Sequence, residues 1–254
     1  MAMIGIFGDS FADLNPSTTH SREKKVLPWG LWLGEFLQSK VECNARSGTS
    51  LWYSYTKFLD SYTKYDTIVF CYTNYMRWNG LSDKYQSLSN VRHEQDVPYL
   101  SENLQEKAKF LVQAFDFMYN DELNKFIYQQ IFNEVNIRCK DAKINLINLF
   151  PFENTKFYDN LNYAPLINFE GTVGPCLTGL LEISVNESET SKKLHERLNT
   201  KNDVRHCHIN SYNNRMLANI IVDNLNTTNY IQLADLNCFR YDDMYLEHTF
   251  NYDD

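Results

Sequence analysis

The sequence predicts a three-layer α/β/α sandwich with a mostly parallel central sheet, and three observations lead there. Strand-type and helix-type segments alternate along it, in the order βαβαβ at the start. Its first strand-type run, Met3 to Phe7, is short, apolar and stopped by Gly8, as suits a buried strand ending in a turn. Its 254 residues, 43 % hydrophobic and 22 % charged, are enough to bury one large core.

Taken in order, the segments support that layering. A polar loop, Asp9 to Lys25, follows the first strand. Val26 to Leu37 carries Leu27, Leu31, Leu33, Phe36 and Leu37 with Pro28 near its start, the pattern of an amphipathic helix opening on proline. Val41 to Asn44 reads as a second strand. Ser50 to Tyr62 has Leu51, Tyr55, Phe58, Leu59 and Tyr62 at helical spacing, and Thr67 to Tyr72 is a β-branched and aromatic run of strand type. Glu102 to Arg138 is charged and periodic, read as two helices broken near Tyr119 to Asp121. Ile144 to Leu149 is the next strand, closed by Pro151. Asn210 to Leu225 returns to helical spacing through Leu217, Ile220, Ile221 and Leu225. Residues 80–101 and 152–200 have no period and no low complexity, and are read as insertions into a single domain spanning 1–254.

Composition narrows the function classes. A formal charge of −8 argues against nucleic acid as a partner, since nonspecific affinity for it comes mainly from Lys and Arg contacts to phosphate. The six cysteines are far apart, with no CxxC pair, and are read as free thiols of a reducing compartment. The N-terminus runs directly into the first strand without the regions of a signal peptide. No stretch approaches the roughly 18 apolar residues of a membrane helix. The expectation is a soluble cytoplasmic protein with no membrane partner.

Two segments carry chemistry. Gly8-Asp9-Ser10 puts a hydroxyl on the turn leaving the carboxyl edge of the sheet, where open α/β sheets bind ligands. His208 stands just ahead of the last helical segment. A serine hydroxyl is a poor nucleophile until a base takes its proton, and the base needs a third group to fix its tautomer. Asp203, five residues before His208, has the chemistry for that third role.

Ile6-Phe7-Gly8-Asp9-Ser10 resembles the first block of the SGNH (GDSL-like) hydrolases, three-layer α/β esterases, lipases and carbohydrate deacetylases of flavodoxin-like layering. Asn44-Ala45-Arg46-Ser47-Gly48 looks like their second block, Cys71-Tyr72-Thr73-Asn74 follows the third strand where the family keeps its asparagine, and His208 to Ala218 is similar to their fifth block. The blocks fall in family order from the first strand to the last helix. The resemblance implies Ser10 as nucleophile, His208 as base, Asp203 as its orienting acid, and an oxyanion hole made of the Ser10 N–H, the Gly48 N–H and the Asn74 side-chain amide. It departs from the family in the third block, where Tyr72 replaces glycine and Tyr75 aspartate, and in the fifth, where Arg205 occupies the aspartate position before His208. Two registers follow: His208 as base with Asp203 across a longer turn, or His206 as base with Asp203 at the usual spacing. The match of Asn210 and Asn214 to Ala218 with the family's helix selects His208.

Around this core, Asp9, Arg77 and Trp78 are assigned to substrate binding, Arg77 and Trp78 because they follow Asn74 directly. Trp29, Trp32 and Trp52 sit in predicted helices and are read as core. His206-Cys207-His208 invites a zinc reading, but zinc wants four ligands in paired local spacings, and Cys43 and Cys71, the obvious additions, fall in predicted strands. No metal or cofactor is expected. The function that follows is hydrolysis of a carboxylic ester, a small acyl group such as acetate on a carbohydrate or a small-molecule ester, through an acyl-serine. The alternative is a noncatalytic binding or structural module of a larger assembly such as a phage particle.

Overall fold

A computed structural model describes residues 2–14, 28–89, 91, 97, 102–151, 166–168, 211–225 and 230–232. Its described strands are β1 (Met3–Phe7), β2 (Lys40–Cys43), β3 (Thr67–Cys71), β4 (Asn145–Phe150), β5 (Leu166–Asn168) and β6 (Tyr230–Gln232). They form one sheet in the order β2-β1-β3-β4-β5-β6, and every neighbouring pair is parallel. The described α-helices are α1 (Trp29–Phe36), α2 (Leu51–Ser61), α3 (Glu102–Met118), α4 (Asp121–Asp141) and α5 (Ser211–Asn224). Among the described residues, no helix is long and apolar enough to cross a membrane.

Period-2 alternation of the strands sorts side chains into two cores. Ile4, Ile6, Val69, Cys71, Ile147 and Leu149 face one way, onto Trp29 and Leu33 of α1 and Leu217, Ala218, Ile220 and Ile221 of α5. Phe7, Ile68, Phe70, Leu146 and Phe150 face the other way, onto Leu51 and Phe58 of α2 and Tyr128, Ile131, Phe132 and Val135 of α4. Helices therefore cover both faces, giving the three α/β/α layers that the sequence predicts.

The break between α3 and α4 falls where the sequence puts it. Asn120 caps α4, its Oδ1 accepting from the Leu123 N–H at 2.9 Å, and Asp121 and Glu122 place negative charge in the first turn, where the helix dipole favours it. Elsewhere the structure adds to the sequence reading. β5 lies inside the 152–200 stretch read as an insertion, yet pairs with both β4 and β6, so residues 166–168 are sheet. β6 follows α5, making a strand the last described element. Within 80–101, Asp83–Leu88 forms a 3₁₀ helix, and Leu88, Val91 and Val97 bury with Ala108 of α3 in a small cluster of their own.

This strand order positions the site. The chain moves from β1 outward to β2, then returns to the other side of β1 to lay down β3. Connections on the two sides of that switch leave a crevice outside the carboxyl ends of β1 and β3, the place where open parallel sheets bind ligands.

Candidate active site

Leaving β1, the chain turns at Gly8, whose φ is +152°. A Cβ there would lie 2.7 Å from Cys71 Cβ and 2.8 Å from Ala12 Cβ, so glycine lets the turn press against β3. The next four residues form a tight turn: the Ala12 N–H donates to the Asp9 carbonyl at 3.0 Å and the Phe11 N–H to Asp9 Oδ1 at 3.1 Å, an aspartate side chain mimicking a backbone turn. Ser10 is held in the middle of it, half-buried.

Asp9 itself is fully buried. Its Oδ2 accepts from Thr73 Oγ1 at 2.7 Å and pairs with Arg77 Nη2 at 2.9 Å. The sequence reading put Asp9 against substrate; in the structure its carboxylate is sealed from solvent and faces protein donors, because an unpaired buried carboxylate is costly and the fold compensates it. Arg77, 12 % exposed at its side chain, also donates from Nη1 to the Thr49 carbonyl at 2.7 Å.

The loop after β2 extends the pairing with β1, the Asn44 N–H donating to Ile6 O at 2.7 Å and the Arg46 N–H to Gly8 O at 3.2 Å. Ser47 N–H reaches Asp13 Oδ2 at 3.0 Å, binding this loop to the Ser10 turn. Gly48 follows with φ +76°, and its carbonyl accepts from Ser89 Oγ at 2.7 Å. Ser50 then caps α2, accepting from the Tyr53 N–H.

After β3, Asn74 accepts at Oδ1 from the Met76 N–H at 2.8 Å, and its carbonyl accepts from the Arg77 N–H at 3.2 Å. That bond fixes the plane of the Asn74 amide, whose Nδ2 amino group is its donor. The two tyrosines that stand where the resemblance expects glycine and aspartate are absorbed by the α2/α4 side of the sheet. Tyr72 is buried, its ring stacked on Phe150 at 4.6 Å and its hydroxyl donating to Asn148 Oδ1 at 3.0 Å. Tyr75 packs its edge against Tyr128 at 6.4 Å.

Trp78 is tied to the segment behind it, its backbone N–H donating to Ser89 O at 2.7 Å and its indole Nε1 to Val91 O at 2.9 Å, with its ring edge-on to Phe115. Of the tryptophans read as core, Trp29 is buried, but Trp52 is 43 % exposed. It lies four residues past Gly48, at the end of α2 nearest the carboxyl edge, because the buried stripe of that helix runs through Leu51, Ser54, Phe58 and Ser61 and Trp52 falls off it.

Asp203, His206 and His208 lie outside the described residues. What is described is where α5, which follows them, begins. Asn214 Oδ1 in its first turns accepts from the Trp29 N–H at 2.8 Å, and Trp29 Nε1 donates to Phe11 O at 2.7 Å. The amino end of α5 is thus bonded through one residue to the neighbour of Ser10.

Two thiols are close enough to the crevice to rival Ser10 as nucleophile. Burial pushes the Cys71 thiol well above its ordinary range, with the Asp9 charge adding to the rise, and burial also raises Cys43. Both stay protonated at neutral pH, and the thiolate is the reactive form. Thr49 and Thr73 bond the loops of the site together and had no role in the sequence reading, which took Trp29 as core and Asn214 as part of the last helix. Thr73 had one signal, a hydroxyl directly before Asn74.

The chain is similar to solved G-D-S-L and carbohydrate esterase structures. One is a G-D-S-L family protein from Desulfitobacterium hafniense DCB-2 described as lipolytic, at 13 % identity and TM-score 0.33, over 61 % of this chain and 64 % of that one. A second is a carbohydrate esterase whose active site displays divergent catalytic and non-catalytic binding functions, at 15 % identity and TM-score 0.37, over 87 % of this chain and 64 % of that one. A third is the acetyl xylan esterase AlAXEase, at 14 % identity and TM-score 0.32, over 87 % and 98 %. The chain spans 64 % of the length of the first two. No family model and no curated protein matches it.

Proposed function

We propose that this chain is a divergent serine esterase of the SGNH type, cleaving a carboxylic ester such as an O-acetyl group on a carbohydrate. One observation carries the reading. The Ser10 turn, the Gly48 loop and the Asn74 turn lie at the carboxyl ends of three neighbouring strands and are bonded to one another through Asp9, Thr73, Arg77 and Thr49. In the proposed cycle Ser10 Oγ attacks the acyl carbon while His208, oriented by Asp203, takes its proton. The Ser10 and Gly48 N–H groups and Asn74 Nδ2 hold the oxyanion as charge develops on it. Collapse breaks the bond to the alcohol, which leaves with the proton from His208. Water, deprotonated by the same base, then cleaves the acyl-serine, releasing the acid and restoring Ser10.

A fluorophosphonate probe tests the nucleophile directly. Phosphonylation at Ser10, located by mass spectrometry of the digested protein and lost on heat denaturation before labelling, is the expected result. A folded protein that takes no label at Ser10 would support the noncatalytic module instead.

Because the base must be neutral to accept the serine proton, hydrolysis of p-nitrophenyl acetate rises with pH, with a midpoint near the ordinary histidine value of about 6.5. A rate that is flat from pH 5 to 8 would remove histidine from the base role.

The carbohydrate half of the proposal draws support from Trp52, since an exposed indole at the rim offers a sugar ring a flat apolar face. Trp52→Ala is expected to raise KM for an acetylated oligosaccharide about fivefold, at roughly 1 kcal/mol for one aromatic stacking contact, while KM for p-nitrophenyl acetate stays unchanged. Equal KM for both substrates in variant and parent would take Trp52 out of the site.

A further inference from the structure

We infer that Arg77 is the positioning residue that sets the Ser10 turn and the Gly48 loop in register, and so acts on turnover without touching substrate. Its kinetic consequence rests on the esterase reading, and its mechanical one on the bonds from Arg77 to Asp9 and Thr49.

Arg77 reaches three loops at once. Through Nη2 it pairs with Asp9 of the nucleophile turn at 2.9 Å, through Nη1 it holds the Thr49 carbonyl at 2.7 Å, and its own N–H closes the Asn74 turn at 3.2 Å. Each attachment is one bond from a group with a proposed catalytic role. Asp9 precedes Ser10, and its other oxygen shapes the turn by accepting from the Phe11 N–H. Thr49 follows Gly48, so the peptide next to the proposed oxyanion donor is fixed by Arg77 on one side and by the Ser89 hydroxyl on the Gly48 carbonyl on the other. The guanidinium spanning Asp9 and Thr49 therefore fixes the far side of the Gly48 loop against the nucleophile turn, while the Arg46 N–H on Gly8 O and the Ser47 N–H on Asp13 hold its near side.

The choice of side chain is physical. A guanidinium is a planar fork with donors at fixed separation and can bond two acceptors on different loops; an ammonium is a point charge without that geometry. The carboxylate partner is fully buried, so it cannot be left alone. Arg77 thereby does two separable things, neutralising Asp9 and setting a spacing. Substrate contact, the role the sequence reading gave Arg77, is a rival with a different kinetic signature.

The test compares Arg77→Lys, Arg77→Met and the double variant Asp9→Asn/Arg77→Met, which removes the buried charge together with its partner and so relieves the folding defect of Arg77→Met. Turnover of p-nitrophenyl acetate, melting temperature and amide hydrogen exchange over residues 46–50 are measured for each. Expected is a fall in kcat of about 10²-fold in all three, the scale of losing one oxyanion donor, with KM within about twofold of the parent. In the double variant the melting temperature returns toward the parent while kcat stays low and exchange over 46–50 is faster. A raised KM at parental kcat would make Arg77 a substrate contact and overturn the inference. So would a double variant that regains kcat along with stability, an Arg77→Lys variant with full kcat, or parental exchange over 46–50 in the double variant. Should the parent protein prove unable to hydrolyse any ester, the esterase reading fails by itself, and the exchange measurement still decides whether Arg77 holds the loop.

Discussion

Ser10→Ala is expected to lower kcat on p-nitrophenyl acetate by about 10⁵-fold or more, close to the loss seen when a triad nucleophile is removed, while the protein keeps its melting temperature within about 2 °C. The stability half follows from how the turn is closed: the Phe11 and Ala12 N–H groups bond Asp9, and neither bond passes through the Ser10 side chain. His208→Ala should cost about as much, and the double variant no more than either single one, because nucleophile and base act as a unit and their losses do not add. His206→Ala supplies the register. Retained activity in His206→Ala assigns the base to His208; loss in His206→Ala with retention in His208→Ala assigns it to His206, with Asp203 three residues upstream. A Ser10→Ala protein as active as the parent would end the serine mechanism.

The parts of the fold legible in the sequence are those buried on both faces. β1, β3 and β4 read as continuous apolar runs because α1 and α5 cover one side of them and α2 and α4 the other, which is the pattern of a parallel sheet. Ends moved by a few residues: the helix expected from Val26 begins at Trp29, after Pro28, and β4 runs one residue past Leu149 to Phe150. β5 and β6 were not legible. With three residues each, they are too short for any periodicity to show, and their place in the sheet comes from tertiary pairing. The 80–101 stretch hid its structure for a related reason, since a 3₁₀ helix has neither the period of 2 nor that of 3.6.

The sequence brought out candidate residues that stand where a strand ends and left the long-range pairings dark. Ser10 was named from the turn at the end of the first strand, and Gly48 and Asn74 through the family resemblance of the segments that follow β2 and β3. That Asp9 pairs with Arg77 could not be named, because the pairing depends on the packing of β1 against β3. Trp52 shows the limit of a helical stripe: spacing put Leu51, Tyr55, Phe58, Leu59 and Tyr62 together and took Trp52 as core, whereas the docking of α2 onto Phe7 and Phe70 leaves both Trp52 and Leu59 exposed.

Gly8→Ala is the substitution expected to cost most in stability, about 4 kcal/mol by urea denaturation, with backbone strain and overpacking each contributing 1–3 kcal/mol. Its φ of +152° is one that L side chains rarely adopt, and the added Cβ would meet Cys71 Cβ at 2.7 Å, Ala12 Cβ at 2.8 Å and the Cys71 carbonyl at 3.0 Å. None of these atoms is the end of a flexible side chain. Cys71 belongs to β3 and is held between β1 and β4, and Ala12 closes the Ser10 turn through its N–H bond to Asp9. The chain can relieve the clash only by lifting the turn off β3, which pulls Asp9 from Thr73 and Arg77 and moves Ser10 with it. Turnover should therefore fall even at temperatures where the variant is still folded. Gly80→Ala separates strain from crowding. Gly80 has a φ of +79° but nothing within 4 Å of its would-be Cβ, so it should lose only the roughly 1–2 kcal/mol of a left-handed backbone and keep its activity. Equal losses at the two glycines would mean that the contact between the Ser10 turn and β3 contributes nothing, and that the nucleophile is not held where β1 and β3 put it.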